Sequence, residues 1–347
     1  MSGGVDSSVA AALLVEAGYE AVGVTLQLAG GAPCDCSPAH VDDARRVAER
    51  LGMRFCVADY RERFQKEVAE AFADAYLAGR TPIPCVRCNS RFKFHCLLER
   101  ARLLGASAVA SGHYARVDTD PETGRRRLRR AADPEKDQTY FLFELSQAQL
   151  AAVCFPLGDL KKTQVREHAR RLGLAVAWKP ESQEICFVPD GDTAGAVERI
   201  RPEALPGEGV LVDARGRVLG RHAGVHRFTV GQRRGLGIAS DRRLYVTRID
   251  AETNRVVVGG REELLARGAR LEGVNWIAGV APRGAVRASV RVRYRHAGAP
   301  AWVEPEPDGG ARVVFDDPVL AVAPGQAAVF DWDAEVLGGG WIAEALP

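Results

Sequence analysis

Two stretches of this chain carry residue types whose spacing suits group-transfer chemistry. The first is Ser2-Gly3-Gly4-Val5-Asp6-Ser7-Ser8, which runs straight into a helical pattern. Glycines let a backbone approach a phosphate closely, successive N–H groups make an anion nest, and a helix N-terminus adds positive potential. Ser7 and Ser8 offer further hydroxyl donors. The loop is not a Walker A motif, because no Gly-Lys-Ser/Thr follows, and it is not G-x-G-x-x-G. The second stretch is TPIPCVRCNSRFKF, residues 81–94, with Cys85 and Cys88 three positions apart. Such a pair suits a zinc knuckle, a redox couple, half of an iron–sulfur site, or a catalytic thiol with a neighbour. Cys34 and Cys36 would complete a four-thiolate zinc site with it. A further thiol, Cys186, stands in ESQEICFV near Glu181 and Glu184; flanked by Ile185 and Phe187, it also reads as a buried apolar thiol. Cys56, Cys96 and Cys154 read as buried small hydrophobes.

Bulk properties bound what these groups can serve. The chain has 347 residues, which is long for one core and favours two or three domains. Hydrophobic content of 46% and charged content of 27% are those of a globular protein. A net charge of +2 confines any nucleic-acid surface to a local patch. All six lysines lie at or before Lys179, and arginine, which suits bidentate phosphate contact, supplies the other basic residues. No apolar run of about 18 residues exists, so no membrane span is expected. MSGGVDSS lacks the features of a signal peptide, so the expected location is the cytoplasm, with reduced thiols.

The elements that must position these groups follow from periodicity and punctuation. Asp6 to Ala17 reads as a helix closed by Gly18, and Ala21 to Leu28 as a buried strand. Ser37-Pro38 opens a helix as N-cap and first residue; its apolar face is Val41, Ala44, Val47, Ala48 and Leu51, and Gly52 ends it. A strand over Arg54 to Ala58, helices over Glu62 to Ala78 and Leu97 to Leu104, and a strand over Ala106 to Ala110 follow. This alternation predicts an α/β fold with a doubly wound parallel sheet. Beyond Pro189, short period-2 runs separated by turn signals predict a β-rich half. The expected division is a catalytic domain over 1–190, a small central β-rich domain over 191–264, and a C-terminal β-barrel over 265–347.

The first loop resembles the SGGxDS loop of the PP-loop ATP pyrophosphatases, in which a hydrophobic strand precedes the loop. That first strand is apparently missing here, and the true start is expected upstream. SGGVDSSVAA, AGRTPIPCVRCNSRFKF, ASGHYARV, DPEKDQTYFL, FPLGDLKK, ESQEICFVP, HRFTVGQRRGLGI, VRVRYR and APGQAAVF stand in the order of one family. Together they resemble the bacterial tRNA-specific 2-thiouridylases (the MnmA family). The resemblance implies that ATP, with Mg2+, lies on Ser2, Gly3, Gly4, Val5, Asp6, Ser7 and Ser8, with Leu26 at the adenine side and Gly112 beside the nucleotide. It implies that AMP is placed on the 2-carbonyl oxygen of wobble uridine 34 and that sulfur then replaces the oxygen.

In this resemblance Cys186 is the persulfide carrier and Cys88 the second catalytic thiol, whose pKa a helix N-terminus near Asn89 would lower. Ile83, Pro84 and Cys85 would face the target base. Many members have Asn-Pro-Asp there, so Cys85 is either a stand-in for aspartate or, with Cys88 and Cys186, a ligand of a 4Fe–4S cluster that takes the sulfide route. His113, Lys136, Asp137, Gln138, Arg293, Tyr294 and Gln326 match positions touching tRNA. Arg87, Arg91 and Lys93 would meet tRNA phosphates. Arg125, Arg127 and Arg129 alternate on one face of an expected hairpin and would do the same, with Gln232-Arg233-Arg234 as a further basic cluster. The target uridine must flip out of its stack. The implied partners are tRNAs of the Lys, Glu and Gln type and a sulfur-relay protein or cysteine desulfurase, the protein acting as a monomer. Two other readings predict different behaviour. A PP-loop ligase on a small molecule would not need Cys186, and a non-catalytic tRNA-binding copy would lack ATP turnover.

Overall fold

A computed structural model describes residues 1–28, 38–180, 185–188 and 191–347. Cys34, Cys36, Ser37, Glu181 and Glu184 lie outside the described residues, and with them the zinc-site and N-cap expectations. The chain opens on helix α1 (Val5–Glu16), whose small apolar residues Val9, Ala10 and Ala12 are buried; Gly18, at φ +83°, ends it in the left-handed conformation. Strand β1 (Val22–Gln27) follows, then α2 (Pro38–Arg50), which turns Ala44, Val47 and Ala48 inward, then β2 (Arg54–Asp59). β1 and β2 pair in parallel from Val22–Arg54 to Gln27–Asp59.

Two long helices come next. α3 covers residues 61–77 with a π-helical stretch at Gln65–Ala69, and α4 covers 84–103 with one at Cys88–Phe94. The second helix was expected only from Leu97. It starts at Pro84, because proline at the first helical position fits a terminus, while the wider turns of the π stretch break the 3.6-residue pattern that would reveal it. β3 (Val109–Ala110) is shorter than expected. The hairpin of β4 (Ala115–Thr119) and β5 (Arg126–Arg130) follows, then α5 (Gln147–Ala151), β6 (Val153–Cys154), α6 (Lys162–Arg171) and α7 (Thr193–Ile200). β3 pairs in parallel with β6. The expected continuous sheet is therefore two parallel pairs among the described residues. Beside β1 runs the backbone of Met1, whose amine donates to the Val24 carbonyl and whose carbonyl accepts from Thr25 Oγ1 at 2.7 Å.

The remaining chain is β-rich. β7 (Gly209–Val212), β8 (Val218–His222), β9 (Tyr245–Asp250) and β10 (Arg255–Gly259) form one sheet in the order β8-β7-β10-β9 over Leu211, Val225, Val246, Val256 and Val258. β11 (Leu265–Trp276), β12 (Val286–Arg291), β13 (Ala299–Pro305), β14 (Ala311–Leu320), β15 (Ala327–Trp332) and β16 (Glu335–Leu346) run β11-β14-β13-β12-β15-β16. β16 pairs back onto β11, which closes a six-stranded barrel filled by residues such as Leu271, Val290, Val303, Val313 and Phe330. The barrel does not stand alone. β5 of the first domain pairs with β16 at Leu128–Val336 and Arg129–Glu335, and Ala327 and Val329 share a core with Val86, Phe94 and Tyr140.

Candidate active site

The loop before α1 is shaped by close approaches. Gly3 has φ +71°, and a Cβ there would sit 2.2 Å from the His40 carbonyl oxygen at the start of α2. A Cβ on Gly112, just past β3, would lie 2.7 Å from the backbone of Asp6 and Ser7. Only glycine fits either place. Gly4 caps α1 without a side-chain hydrogen bond, so the first N–H groups of this twelve-residue helix remain for a ligand. Ser2 and Ser7 face each other, with 3.1 Å between their hydroxyl oxygens. Ser8 differs from expectation: it is fully buried, and its hydroxyl donates to the Gly4 carbonyl at 2.8 Å. Its single proton is used inside the turn, so it shapes the loop rather than donating to a phosphate.

Two lysines converge on this loop. Lys162 Nζ donates to both carboxylate oxygens of Asp6 at 2.8 Å and sits 5.6 Å from the Tyr114 ring centre, and Tyr114 Oη donates to Asp6 at 2.8 Å. Lys179 Nζ donates to Asp43 at 2.8 Å and to the Gly3 carbonyl at 3.3 Å. Two ammonium groups beside an anion nest suit a polyphosphate. Sequence reasoning assigned neither lysine a role. Lys162 stood in the quoted motif FPLGDLKK, which was the available signal.

Two of the candidate catalytic thiols border one apolar cluster that also touches the end of β1. Cys88 is 7% exposed and lies in one apolar cluster with Leu28, Phe64, Val68, Phe92 and Cys96, against which Leu26, Cys186 and Phe187 pack. Cys88 and Cys186, far apart in sequence, thus share one apolar cluster, which Leu26 also borders. Cys88 lies past the first turn of α4, with Ile83 as N-cap and Pro84 as first residue, so the expected helix-terminal lowering of its pKa fails. Burial instead pushes the Cys85 and Cys88 thiols up, and the Lys93 ammonium opposes this at both. Lys93 is half-buried, and its charge favours the thiolate form of both cysteines. Arg87 lies 5.7 Å from the Trp341 ring centre, and Arg91 is exposed. Cys96 is buried and accepts from Arg63 Nη1 at 3.5 Å, Cys56 is half-buried, and Cys154 is exposed rather than buried. Among the described residues no three His, Cys, Asp or Glu side chains converge to hold a metal ion. Cys85, Cys88 and Cys186 as arranged therefore do not fit a three-ligand cluster site.

Family models match the chain in order: a tRNA methyl transferase HUP domain at 1–190, a tRNA methyl transferase PRC-barrel domain at 196–260, and an aminomethyltransferase beta-barrel domain at 266–342. The chain is 51% identical to the tRNA-specific 2-thiouridylase MnmA of Solibacter usitatus, over 99% of this chain and 97% of that one. It is 52% identical to that of Rhodospirillum centenum over 100% and 92%, and 50% identical to that of Geobacter metallireducens over 100% and 96%. The chain belongs to the MnmA family. The HUP domain of this family uses ATP, in keeping with the loop and its lysines.

In this MnmA-family chain the residues expected to touch tRNA divide into two groups. Arg293 and Tyr294 are exposed; Tyr294 stacks on Phe141 at 4.4 Å between ring centres, and Arg293 Nη1 donates to the Leu320 carbonyl. Lys136 is half-buried. The others are engaged inside the fold. His113 is buried between Phe94 and Phe155, 2.6 Å from Ser111 Oγ, and burial lowers its pKa to about 3. Asp137 is buried and accepts from Ala131 N, Thr139 Oγ1 and Arg291 Nη1. Gln138 Oε1 accepts from Tyr114 N at 3.0 Å, and Gln326 Nε2 donates to the Thr81 carbonyl at 3.0 Å. Arg127 and Arg129 both donate to Asp118, leaving Arg125 as the exposed arginine of the hairpin. Gln232 caps its own turn through Thr229 N, with Arg233 and Arg234 exposed.

Proposed function

We propose that this protein is a tRNA 2-thiouridylase, an ATP-dependent sulfurtransferase acting on the wobble uridine. The observation that carries the reading is that Cys186 packs against the apolar cluster that contains Cys88, in a chain about half identical to curated 2-thiouridylases along its whole length. ATP lies on Ser2 to Ser8 and along Leu26 and Gly112, its phosphates faced by the α1 N-terminus, Lys162 and Lys179; Mg2+ enters with the triphosphate and neutralises part of its charge. The 2-carbonyl oxygen of the flipped uridine attacks the α-phosphorus, and pyrophosphate leaves. AMP is then a far better leaving group than oxide.

The terminal sulfur of a Cys186 persulfide attacks carbon 2, and AMP departs with the former carbonyl oxygen. The Cys88 thiolate then attacks Cys186 Sγ. The S–S bond breaks, its electron pair stays on the sulfur attached to carbon 2, and Cys88 and Cys186 become a disulfide that an external thiol reduces before the next turnover. Lys93 supports this step, because its charge opposes part of the burial effect that raises the Cys88 pKa. Ile83, Pro84 and Cys85 lie at the start of the same helix and face the base. The exposed Arg293, Tyr294 and Arg125 meet RNA together with the half-buried Lys136, and the sulfur comes from a relay protein or desulfurase. We place the reaction in the cytoplasm, on a monomer; no helix among the described residues is long and apolar enough to cross a membrane.

The test is complementation of a strain lacking this activity. The natural chain restores 2-thiouridine in tRNA, and Cys186→Ala and Cys88→Ser do not. Full restoration by Cys186→Ala would refute the persulfide role. Iron and acid-labile sulfide in anaerobically purified protein, lost in Cys85→Ser together with activity, would transfer the chemistry to the cluster route.

A further inference from the structure

The connector between α3 and α4 is held by both C-terminal modules. A Cβ on Gly79, at φ +72°, would lie 2.9 Å from Ile249 Cγ2 of the central sheet. Two residues on, Thr81 is bracketed by the turn between β14 and β15. Its N–H donates to the Pro324 carbonyl at 2.9 Å, and its carbonyl accepts from Gln326 Nε2 at 3.0 Å. Gly325, at φ +90°, lies between these partners; a Cβ there would sit 2.8 Å from Thr81 N and 2.9 Å from Arg80 Cβ. The turn is itself fixed to the barrel: Gly325 N donates to the Ile342 carbonyl and Ile342 N to the Gln326 carbonyl, both at 2.8 Å. Thr81 is followed by Pro82, Ile83 and Pro84, and the fixed φ of each proline makes this a stiff lead into the helix that carries Cys85 and Cys88.

We propose that Gly325 and Gln326 are positioning residues for the catalytic thiols. The barrel turn sets where residue 81 sits, and the proline-stiffened connector passes that setting to Cys88. One of the two Gln326 Nε2 protons is used on the Thr81 carbonyl, and this bond is what gives the residue a role in placing the thiol helix. This inference rests on the thiouridylase reading. Misplacement by about 1 Å in a group-transfer site costs on the order of 100-fold in rate.

The experiment uses full-length protein with tRNA, ATP, magnesium and a cysteine desulfurase with cysteine as the sulfur source. Gln326→Met keeps side-chain length and removes the donor. Its kcat is expected to fall about 10- to 100-fold, with KM for tRNA unchanged within about twofold. Alkylation of Cys88 by iodoacetamide, read by peptide mass spectrometry, is expected to rise several-fold relative to the exposed Cys154 of the same chain. Gly325→Ala, which pushes on the Thr81 backbone, is expected to shift the same two readouts in the same direction. A raised KM with kcat intact overturns the proposal and returns Gln326 to the RNA surface. Unchanged kcat and unchanged alkylation overturn it as well. If either variant fails to fold, the other decides by these readouts. Failure of the natural chain to thiolate tRNA strikes the function reading instead, and leaves the alkylation comparison as the test of the clamp.

Discussion

Burial keeps His113 neutral down to about pH 3, with Lys93 adding to the effect. The sign of the consequence follows from linkage. An unfolded histidine takes up its proton near pH 6.5 and the folded one does not, so stability is complete above that value and falls as pH drops towards 3. The slope is about 1.4 kcal/mol per pH unit for one such group. In His113→Gln, which keeps a partner for Ser111, the loss of stability between pH 7 and pH 5 is expected to shrink by about 2 kcal/mol. Urea unfolding at the two pH values measures it, and an unchanged loss would contradict the neutral assignment. His113 also marks a limit of reading one sequence. Its motif was legible, but its burial was not, because Phe94 and Phe155 come from elements separated from it in the chain. The influence of Lys93 on the thiols was likewise not legible, since nothing local says that a π-helical stretch carries it together with Cys88.

The β4–β5 hairpin was legible as an element from its Asp120-Pro-Glu-Thr-Gly turn and alternating arginines. What the alternation serves was not legible, because half of the answer is Glu335 in the last strand. Arg127 Nε is 2.6 Å from Asp118 and 3.9 Å from Glu335, and Arg129 Nη1 is 3.4 Å from Asp118. These arginines are neutralised by neighbours, so they have few counterions to exchange with RNA. Arg127→Gln and Arg129→Gln are expected to leave the slope of log affinity for tRNA against log salt unchanged. Arg125→Gln lowers that slope by about 1 if its guanidinium meets a phosphate. Filter binding across a salt series separates the two behaviours. The same contrast explains the late reading of α4: its polar face, Arg87, Ser90 and Arg91, looks like solvent-facing loop, yet Ser90 Oγ donates to Glu144 at 2.6 Å and Trp341 Nε1 donates to the same carboxylate at 2.9 Å.

Across the whole molecule, one buried ion group joins the first domain to the barrel. Arg291, on β12, donates to Asp137 at 3.1 Å and to Thr139 at 3.1 Å, and its Nε lies 3.3 Å from Asp331 Oδ1 without the alignment of a hydrogen bond. Burial raises the pKa of Asp331, with Arg291 and Arg130 opposing. Removing Arg291 takes one cation from two buried carboxylates and leaves Arg130, 3.5 Å from Asp137, beside them. Arg291→Met is expected to cost about 3–5 kcal/mol, seen as an earlier guanidinium unfolding midpoint; a cost below about 1 kcal/mol would contradict the role given to the group. Domain classes were legible from the change from helix–strand alternation to period-2 runs near Pro189. The joins between domains were not, because Asp137, Arg291 and Gln326 read as solvent-facing polar residues until chain segments 150 or more residues apart are brought together. The pairing of β5 with β16 has one more consequence. The hairpin of the ATP-binding half finds its edge partner only in β16, at the far end of the barrel sequence. A nascent chain carrying the phosphate loop and both thiols therefore lacks the strand that covers the edge of this hairpin, and the first domain is completed only once β16 has been made.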